Sequence, residues 1–339
     1  MPSVSIIIPC YNEESAITDL LHAIYKQTFP RADLEVVIAD GMSTDQTRSK
    51  IAEFADSHAD LHIALVDNPK RIIPAALNEA LKESQGEIIV RMDAHSIPYP
   101  EYIERSVADL QAGLGTNVGG VWEIQPGAKT WMARAISTAA AHPLGVGDAM
   151  YRHAVKAASV DTVPFGSFHR EVLATIGFFD ETLLTNEDYE FNTRIRKSGG
   201  IIWLDPAIRS IYISRSSLSE LAKQYWRYGF WKWQMLRRYP DTLRWRQGLP
   251  PLFVISLLAG MILSVFYGFF RIFLFSELII YLFFLGLAGF RSAILKKDAG
   301  LIPGLPLAIL TMHISWGMGF LWSMIKIKPN KSARMSIKK

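Results

Sequence analysis

A few short stretches of this chain carry side chains able to do chemistry. In Glu87-Ile88-Ile89-Val90-Arg91-Met92-Asp93-Ala94-His95 a β-branched apolar run ends in an acid, a small residue and an imidazole. Such a run reads as a buried strand delivering Asp93 and His95, two candidate metal ligands, to its carboxyl end, although a strand closed by a polar turn has the same pattern. Asp40 ends another apolar run, 34–39, and precedes Gly41 and a row of hydroxyls. A charged acceptor at that place suits the diol of a ribose, and a turn-forming Asp before Gly is the alternative. Glu13 follows the first apolar run, and Asn68-Pro69-Lys70-Arg71 supplies two cations. Acids for ribose and metal, with cations for phosphate, describe a pocket for a nucleoside diphosphate. Glu187 and Asp188 stand side by side where a helical pattern begins, a pairing that also suits the positive end of a helix dipole.

The elements that must position these groups alternate in the manner of an α/β domain. Apolar runs at 4–8, 34–39, 61–66 and 87–90 are predicted strands. Between them lie helical patterns with Ile17, Leu20, Leu21 and Ile24 on one face, then Ile51 and Phe54, then 74–85 started by Pro74 and stopped by Gly86. In open sheets of this kind ligands bind where the carboxyl ends of the strands meet the loops, so Glu13, Asp40 and Asp93 are expected on one rim. Further strands are expected at 118–124, 160–165, 201–204 and 210–213, with helices at 187–197 and 218–236. The stretch 129–158, rich in small residues, reads as a loop and helix on the acceptor side.

Composition changes sharply along the 339 residues. Residues 249–270 carry no charge, 272–290 only Glu277, and 299–325 none besides neutral His313. A helix crossing a bilayer needs about 20 apolar residues, so all three runs are expected in the membrane, the last as an irregular helix because of its prolines and glycines. Seven Lys or Arg against one acid at 223–246, and six against none at 326–339, flank this region. Anionic headgroups fit such clusters better than nucleic acid, for which no motif is present. The helix 218–236, aromatic around its circumference, reads as interfacial. Cys10 is the single cysteine, which excludes a disulfide framework and a cysteine-based metal site. With no signal peptide recognisable, the first two hundred residues are expected in the cytoplasm. The expected division is a catalytic domain at 1–215, interfacial helices at 216–248, a membrane region at 249–325 and a basic tail at 326–339. Three crossings would export that tail against the positive-inside tendency, whereas two crossings with a re-entrant or interfacial third segment would retain it.

In order along the chain, V-S-I-I-I-P-C-Y-N-E-E, A-D-G-M-S-T-D-Q-T, R-M-D-A-H, G-S-F-H-R-E-V, T-N-E-D-Y-E-F-N and Q-Y-W-R-Y resemble the motifs of family 2 glycosyltransferases with the GT-A fold. Within that family the chain looks most like bacterial membrane-associated enzymes that extend a lipid-linked sugar in exopolysaccharide assembly, such as the succinoglycan glucosyltransferases. The resemblance implies inverting transfer of a hexose, commonly from UDP-glucose, to a polyprenyl-diphosphate-linked acceptor with a divalent metal, Mn²⁺ or Mg²⁺. It places Pro9, Tyr11 and Glu13 at the base and ribose, Asp40 on the uracil or ribose, and Asp93 and His95 at the D-x-D positions. His95 departs from the usual acid, which shifts preference toward softer ions such as Mn²⁺. Asp188 falls where the catalytic base is expected, Glu187 supports it, and Lys70 or Arg71 would offset charge on the departing diphosphate. Gln224-Tyr225-Trp226-Arg227-Tyr228 is similar to the Q-x-x-R-W motif, which puts Gln224, Arg227 and Tyr228 on the acceptor or diphosphate. Tyr228 replaces the tryptophan of processive members, so addition of a single sugar is favoured.

The alternatives are a polyprenyl-phosphate sugar transferase, which shares the fold, and a catalytically inactive nucleotide-sugar-binding scaffold. A bilayer and a UDP-sugar are expected partners of the leading reading, at a bacterial inner membrane.

Overall fold

The computed structural model describes residues 2–147 and 149–326. The first strand, β1 (Val4–Cys10), is buried along its whole length because it is covered on both faces. Its side chains alternate: Val4, Ile6, Ile8 and Cys10 join one apolar cluster with helices α1 (Ile17–Tyr25) and α2 (Thr47–Ser57), and Ile7 joins another with α3 (Ile73–Glu83). Period-two alternation thus splits one apolar run between two layers of helices.

Strands β2 (Leu34–Asp40), β3 (His62–Asp67) and β4 (Ile88–Arg91) run parallel to β1 in the order β3-β2-β1-β4. The chain therefore steps outward through β2 and β3 and then returns to the other side of β1. That reversal opens a crevice beyond the carboxyl ends of β1 and β4, where neighbouring connections diverge. After β4 come β5 (Ile97–Pro98), α4 (Tyr102–Gln111), β6 (Asn117–Gln125), α5 (Trp131–Ala141), α6 (Pro143–Val146), β7 (Ala158–Ser159), β8 (Ser167–His169), α7 (Val172–Ile176), α8 (Glu187–Lys197) and β9 (Ile202–Ile213). β8 pairs antiparallel with β4 and β6, β9 runs parallel to β6, and β5 and β7 pair antiparallel with β9. A mixed sheet between helical layers is the GT-A arrangement expected.

Two local expectations are corrected. The strands expected at 201–204 and 210–213 are one strand, β9. Its partner β6 passes from the Gly119–Leu204 pair to the Val121–Arg209 pair, so the segment around Asp205 and Pro206 bulges out of the ladder. Gly120 is required there, since a Cβ would lie 1.8 Å from the Ile208 carbonyl oxygen. The strand expected at 160–165 does not form. Pro164 lacks the N–H a ladder needs, and Phe165 and Gly166 turn with positive φ, leaving this segment to line the crevice.

The C-terminal part consists of α9 (Leu218–Leu236), α10 (Leu249–Phe266), α11 (Gly268–Lys296) and α12 (Leu301–Ile325). The last three are long and apolar enough to cross a membrane. The third segment is one helix, and the irregularity expected of it is Pro306, which stands inside the helix and takes one N–H out of the ladder. Pro303 falls in its first turn, where the missing N–H breaks no helical bond, and the glycines are contact points rather than breaks. A Cβ at Gly319 would meet the Trp226 carbonyl oxygen at 2.2 Å, and one at Gly317 the Pro250 carbonyl oxygen at 2.5 Å. Of the expected basic tail, 326–339, only Lys326 lies within the described residues.

Candidate active site

Arg91, the last residue of β4, is buried at the head of the crevice. Its Nη2 donates to Glu187 Oε1 at 2.7 Å and to Asp93 Oδ1 at 3.1 Å. One guanidinium therefore ties the end of β4 to the start of α8, far apart in sequence. Its Nε and Nη1 have no hydrogen-bond partner among the described residues. Beside Glu187, Asp188 accepts from the Tyr189 backbone N–H at 2.7 Å. Burial raises the Asp188 carboxyl to about 6, Glu187 adds to the rise, and Arg91 opposes it. A carboxyl titrating near neutrality in a crevice wall is suited to take and release a proton.

His95 Nδ1 lies 3.1 Å from Glu13 Oε1, so the loops after β1 and β4 touch across the reversal point. Held this way, His95 keeps Nε2 for a ligand. An imidazole whose other nitrogen donates to a carboxylate is the usual arrangement of a metal-bound histidine. No group of three or more His, Cys, Asp or Glu is poised around one ion among the described residues. A divalent ion on a nucleoside diphosphate is ordinarily held by one or two protein groups, with phosphate and water completing the shell. Asp93 and His95, both lining the crevice, fit that requirement.

The other expected nucleotide residues sit around the same sheet edge. Asp40 is fully buried at the end of β2, and its carboxylate accepts from the Ser43 N–H and hydroxyl and from Arg48 Nη1 at 2.9 Å. Arg48 also pairs with Asp67 at 2.8 Å. Tyr11 is exposed at the end of β1 beside Gly41, while Pro9 is buried within the strand. Lys70 is drawn to Glu181, 2.5 Å away, and Arg71 turns with a φ of 55°. Neither cation lines the main cavity.

That cavity holds about 600 Å³. Arg91, Asp93, His95, Glu187 and Asp188 line it. Arg152, Gln224, Tyr228 and, from α12, Trp316 line the same cavity, and Arg227 and Lys232 line it beside Thr185 and Tyr189, on either side of the Glu187–Asp188 pair. Gln224 Nε2 donates to the hydroxyls of Tyr212 and Tyr228 at 3.0 and 3.1 Å, and Arg227 reaches Thr185 Oγ1 at 3.4 Å. The expected acceptor residues and Asp188 thus share a cavity with Asp93 and His95, while Asp40 stays outside its lining on the same edge. Sequence reasoning passed over Arg91, Arg48, Arg152 and Lys232. Arg91 offered a signal, a charge closing a strand otherwise wholly apolar. The other three sit in helical or loop stretches where a cation has no distinguishing pattern.

A sequence model described as glycosyl transferase family 2 matches residues 5–177. The chain is 28% identical to the dolichyl N-acetyl-alpha-D-glucosaminyl phosphate 3-beta-D-2,3-diacetamido-2,3-dideoxy-beta-D-glucuronosyltransferase of Methanococcus voltae, over 96% of this chain and 98% of that one. It is 31% identical to the succinoglycan biosynthesis protein ExoA of Rhizobium meliloti, over 77% and 78% of the two chains. Its fold is shared with the Pyrobaculum calidifontis mannosyltransferase PcManGT, solved with GDP-Man and Mn²⁺, at a TM-score of 0.61 and 23% identity, over 96% and 88% of the chains. With the family motif spanning the sheet that builds the crevice, and a relative matched over most of its length, this chain is a glycosyltransferase of family 2.

Proposed function

We propose that the enzyme moves a hexose, with UDP-glucose the first donor to test, onto a saccharide carried by polyprenyl diphosphate, inverting the anomeric centre at a membrane surface. The observation that carries this reading is that one cavity is lined both by the acidic cluster around Arg91 and by cationic and aromatic side chains that reach α12. The names of the Methanococcus and Rhizobium relatives, one a dolichyl-phosphate-sugar enzyme and one a succinoglycan protein, support a lipid-linked acceptor.

In this reading Asp188 accepts the proton of the acceptor hydroxyl as its oxygen attacks C1. The bond from C1 to the phosphate oxygen breaks, the nucleoside diphosphate leaves with the electron pair, and the proton passes from Asp188 to solvent. Glu187 and Arg91 hold α8 against β4 and so keep that carboxyl at the crevice wall. Asp93 and His95 would hold a divalent ion, Mn²⁺ or Mg²⁺, which when bound offsets charge on the departing diphosphate. Arg91 Nε and Nη1 are buried without a hydrogen-bond partner among the described residues, so the part this guanidinium plays runs through Glu187 and Asp93. Asp40 with Arg48, and Tyr11 over Gly41, form the base and ribose edge, Glu13 orients His95, and Lys70 and Arg71 stand at the outer rim.

The test is a screen of radiolabelled nucleotide sugars, in washed membranes, against extracted lipid-linked oligosaccharide and against bare polyprenyl phosphate. Label moving to the oligosaccharide lipid is expected. Label on bare polyprenyl phosphate alone would replace this reading with the lipid-sugar synthase, and no transfer at all would leave only the inactive scaffold.

The membrane arrangement follows from what covers each helix. α10 and α11, about 27 and 43 Å long at 1.5 Å per residue, expose most of their apolar side chains and meet at Tyr267. α12 instead lies against the catalytic side from end to end. Gly304 packs on Ala135 and Trp131 of α5, His313 Nε2 meets the Leu144 carbonyl of α6, and Ser323 accepts from Gln234 of α9 at 2.8 Å. Were α12 to cross the bilayer, α5 and α9 with Arg134, Lys223 and Arg227 would enter it too, at a cost of several kcal/mol per charge. The reading is therefore two crossings, α10 and α11, with α12 along the surface and the catalytic domain in the cytoplasm at a bacterial inner membrane. In a Cys10→Ser background, a cysteine at Tyr267 should label from the side opposite the catalytic domain and one at Lys326 from the same side. Opposite-side labelling at Lys326 would make α12 a crossing helix.

A further inference from the structure

The cavity is lined by two buried cations that the transfer chemistry does not use. Lys232 on α9 is 4% exposed and Arg152, just beyond α6, is 8% exposed. Lys232 Nζ has one oxygen partner, the Thr242 carbonyl at 3.3 Å, and stands 3.9 Å from the centre of the Tyr189 ring. Arg152 donates through Nη1 to the Ala140 carbonyl at 3.0 Å and lies within 5.1 to 6.0 Å of the Trp122, Tyr151 and Tyr212 rings. Among the described residues neither forms an ion pair with a carboxylate. The nearby acid, Asp161, is itself paired with Arg244 at 3.2 Å.

Burying a cation without a counter-charge is costly, and a π face with one carbonyl compensates only part of the loss of water. Burial pulls the Lys232 amine down to about 7, the signature of a cation whose surroundings supply too little negative charge. Among the cavity carboxylates Asp161 acts on Lys232, and Arg196 and Arg244 oppose it, while Glu187 and Asp93 are engaged by Arg91. Two buried cations without a carboxylate ion pair among the described residues therefore line the same cavity as Trp316 of α12.

We propose that Lys232 and Arg152 form an anion subsite for the phosphate or diphosphate that joins the acceptor saccharide to its lipid. This deepens, and rests on, the reading of a lipid-linked acceptor. The phosphate stands between saccharide and lipid, so binding it in this cavity leaves the sugar within the space Asp188 lines and the chain within that lined by α12. The rings around Arg152 hold the guanidinium in place without neutralising it. A charge-assisted contact of this kind is worth about 1.5–3 kcal/mol, or roughly 10- to 100-fold in affinity.

The experiment uses the full chain in detergent. Lys232→Met and Arg152→Met should each raise KM about 10-fold or more for the lipid-linked acceptor, leave KM for the nucleotide sugar unchanged, and leave transfer to a neutral alkyl glycoside of the same saccharide at the wild-type rate. Lys232→Arg should restore most of the loss. Parallel assays with monophosphate- and diphosphate-linked acceptors identify which anion the pair fits, by which of the two loses more. Binding of inorganic diphosphate, measured by calorimetry with UDP saturating the donor site, should be present in the wild type and lost in both Met variants. That measurement needs no acceptor, so it tests the subsite even where the lipid-linked acceptor proves wrong. Equal losses on charged and neutral acceptors, or diphosphate binding unchanged in both variants, would overturn the subsite.

Discussion

Replacing Asp188 by Asn is expected to lower kcat by about 10²- to 10⁴-fold while leaving the KM for the nucleotide sugar within about twofold of wild type. The carboxyl is recessed beside Glu187 and close to Arg91, and among the described residues it accepts a hydrogen bond from its own neighbour, Tyr189. Its oxygens are therefore not consumed by the fold, and the loss should fall on the chemical step. Acting as a base requires the ionised form. With the carboxyl at about 6, kcat/KM in the wild type should fall as pH drops through that value and level off above it. The stability effect has the opposite sense. A carboxyl raised from its ordinary 3.8 binds its proton more tightly folded than unfolded, so its contribution to stability declines as pH rises from about 4 to 6 and remains unfavourable above. The neutral Asn variant should consequently melt no lower than wild type at pH 8, measured by thermal unfolding in detergent. A variant that retained turnover would remove Asp188 from the base role, and one that lost both turnover and melting temperature would mark it as structural.

Much of this arrangement was legible in the chain because the parallel half of the sheet is built from uninterrupted apolar runs. Ile6, Ile7 and Ile8 announce a strand buried on both faces, and the acids that follow such runs fall at the rim by geometry alone. The D-A-H step after β4 was visible for the same reason, whereas the E-D pair stands at a helix start and was singled out by the family resemblance. Less legible was everything set by contact between distant segments. Pro206 and Asp205 break the apolar pattern of β9, and only the bulge opposite Gly120 shows why one strand survives them. Glycines in α12 looked like interruptions, yet Gly317 and Gly319 are where α10 and α9 approach closely. Lys70 looked available for phosphate, but Glu181, over a hundred residues later, stands beside it. The cations of the cavity wall, Arg152 and Lys232, share no spacing at all. Local pattern encodes which residues reach the rim, whereas pairing across the fold decides which of them keep a free charge.

The residue on which both halves of the site depend is Arg91, and Arg91→Met is expected to cost about 3–5 kcal/mol of stability, a fall of roughly 10 °C in melting temperature, together with nearly all activity. Its guanidinium is the counter-charge for Glu187, whose side chain is 8% exposed, and for Asp93. Met fills the volume but leaves the Glu187 carboxylate buried without a partner. The double variant Arg91→Met with Glu187→Gln should recover part of the stability, because the stranded charge is removed, and none of the activity. Arg91→Lys should be intermediate in stability and poor in turnover, since an ammonium cannot reproduce the planar group that holds two carboxylates at once. Residual activity gives the sharpest reading. Arg91 is the cation that holds the Asp188 carboxyl down against burial and Glu187, so its loss must raise that carboxyl further. The acid limb of the rate profile should then move above 6 in Arg91→Lys and Arg91→Met, to the extent that each weakens the positive charge. An unshifted limb, with stability lost as expected, would mean that Arg91 supports the fold of α8 against β4 and leaves the proton transfer untouched.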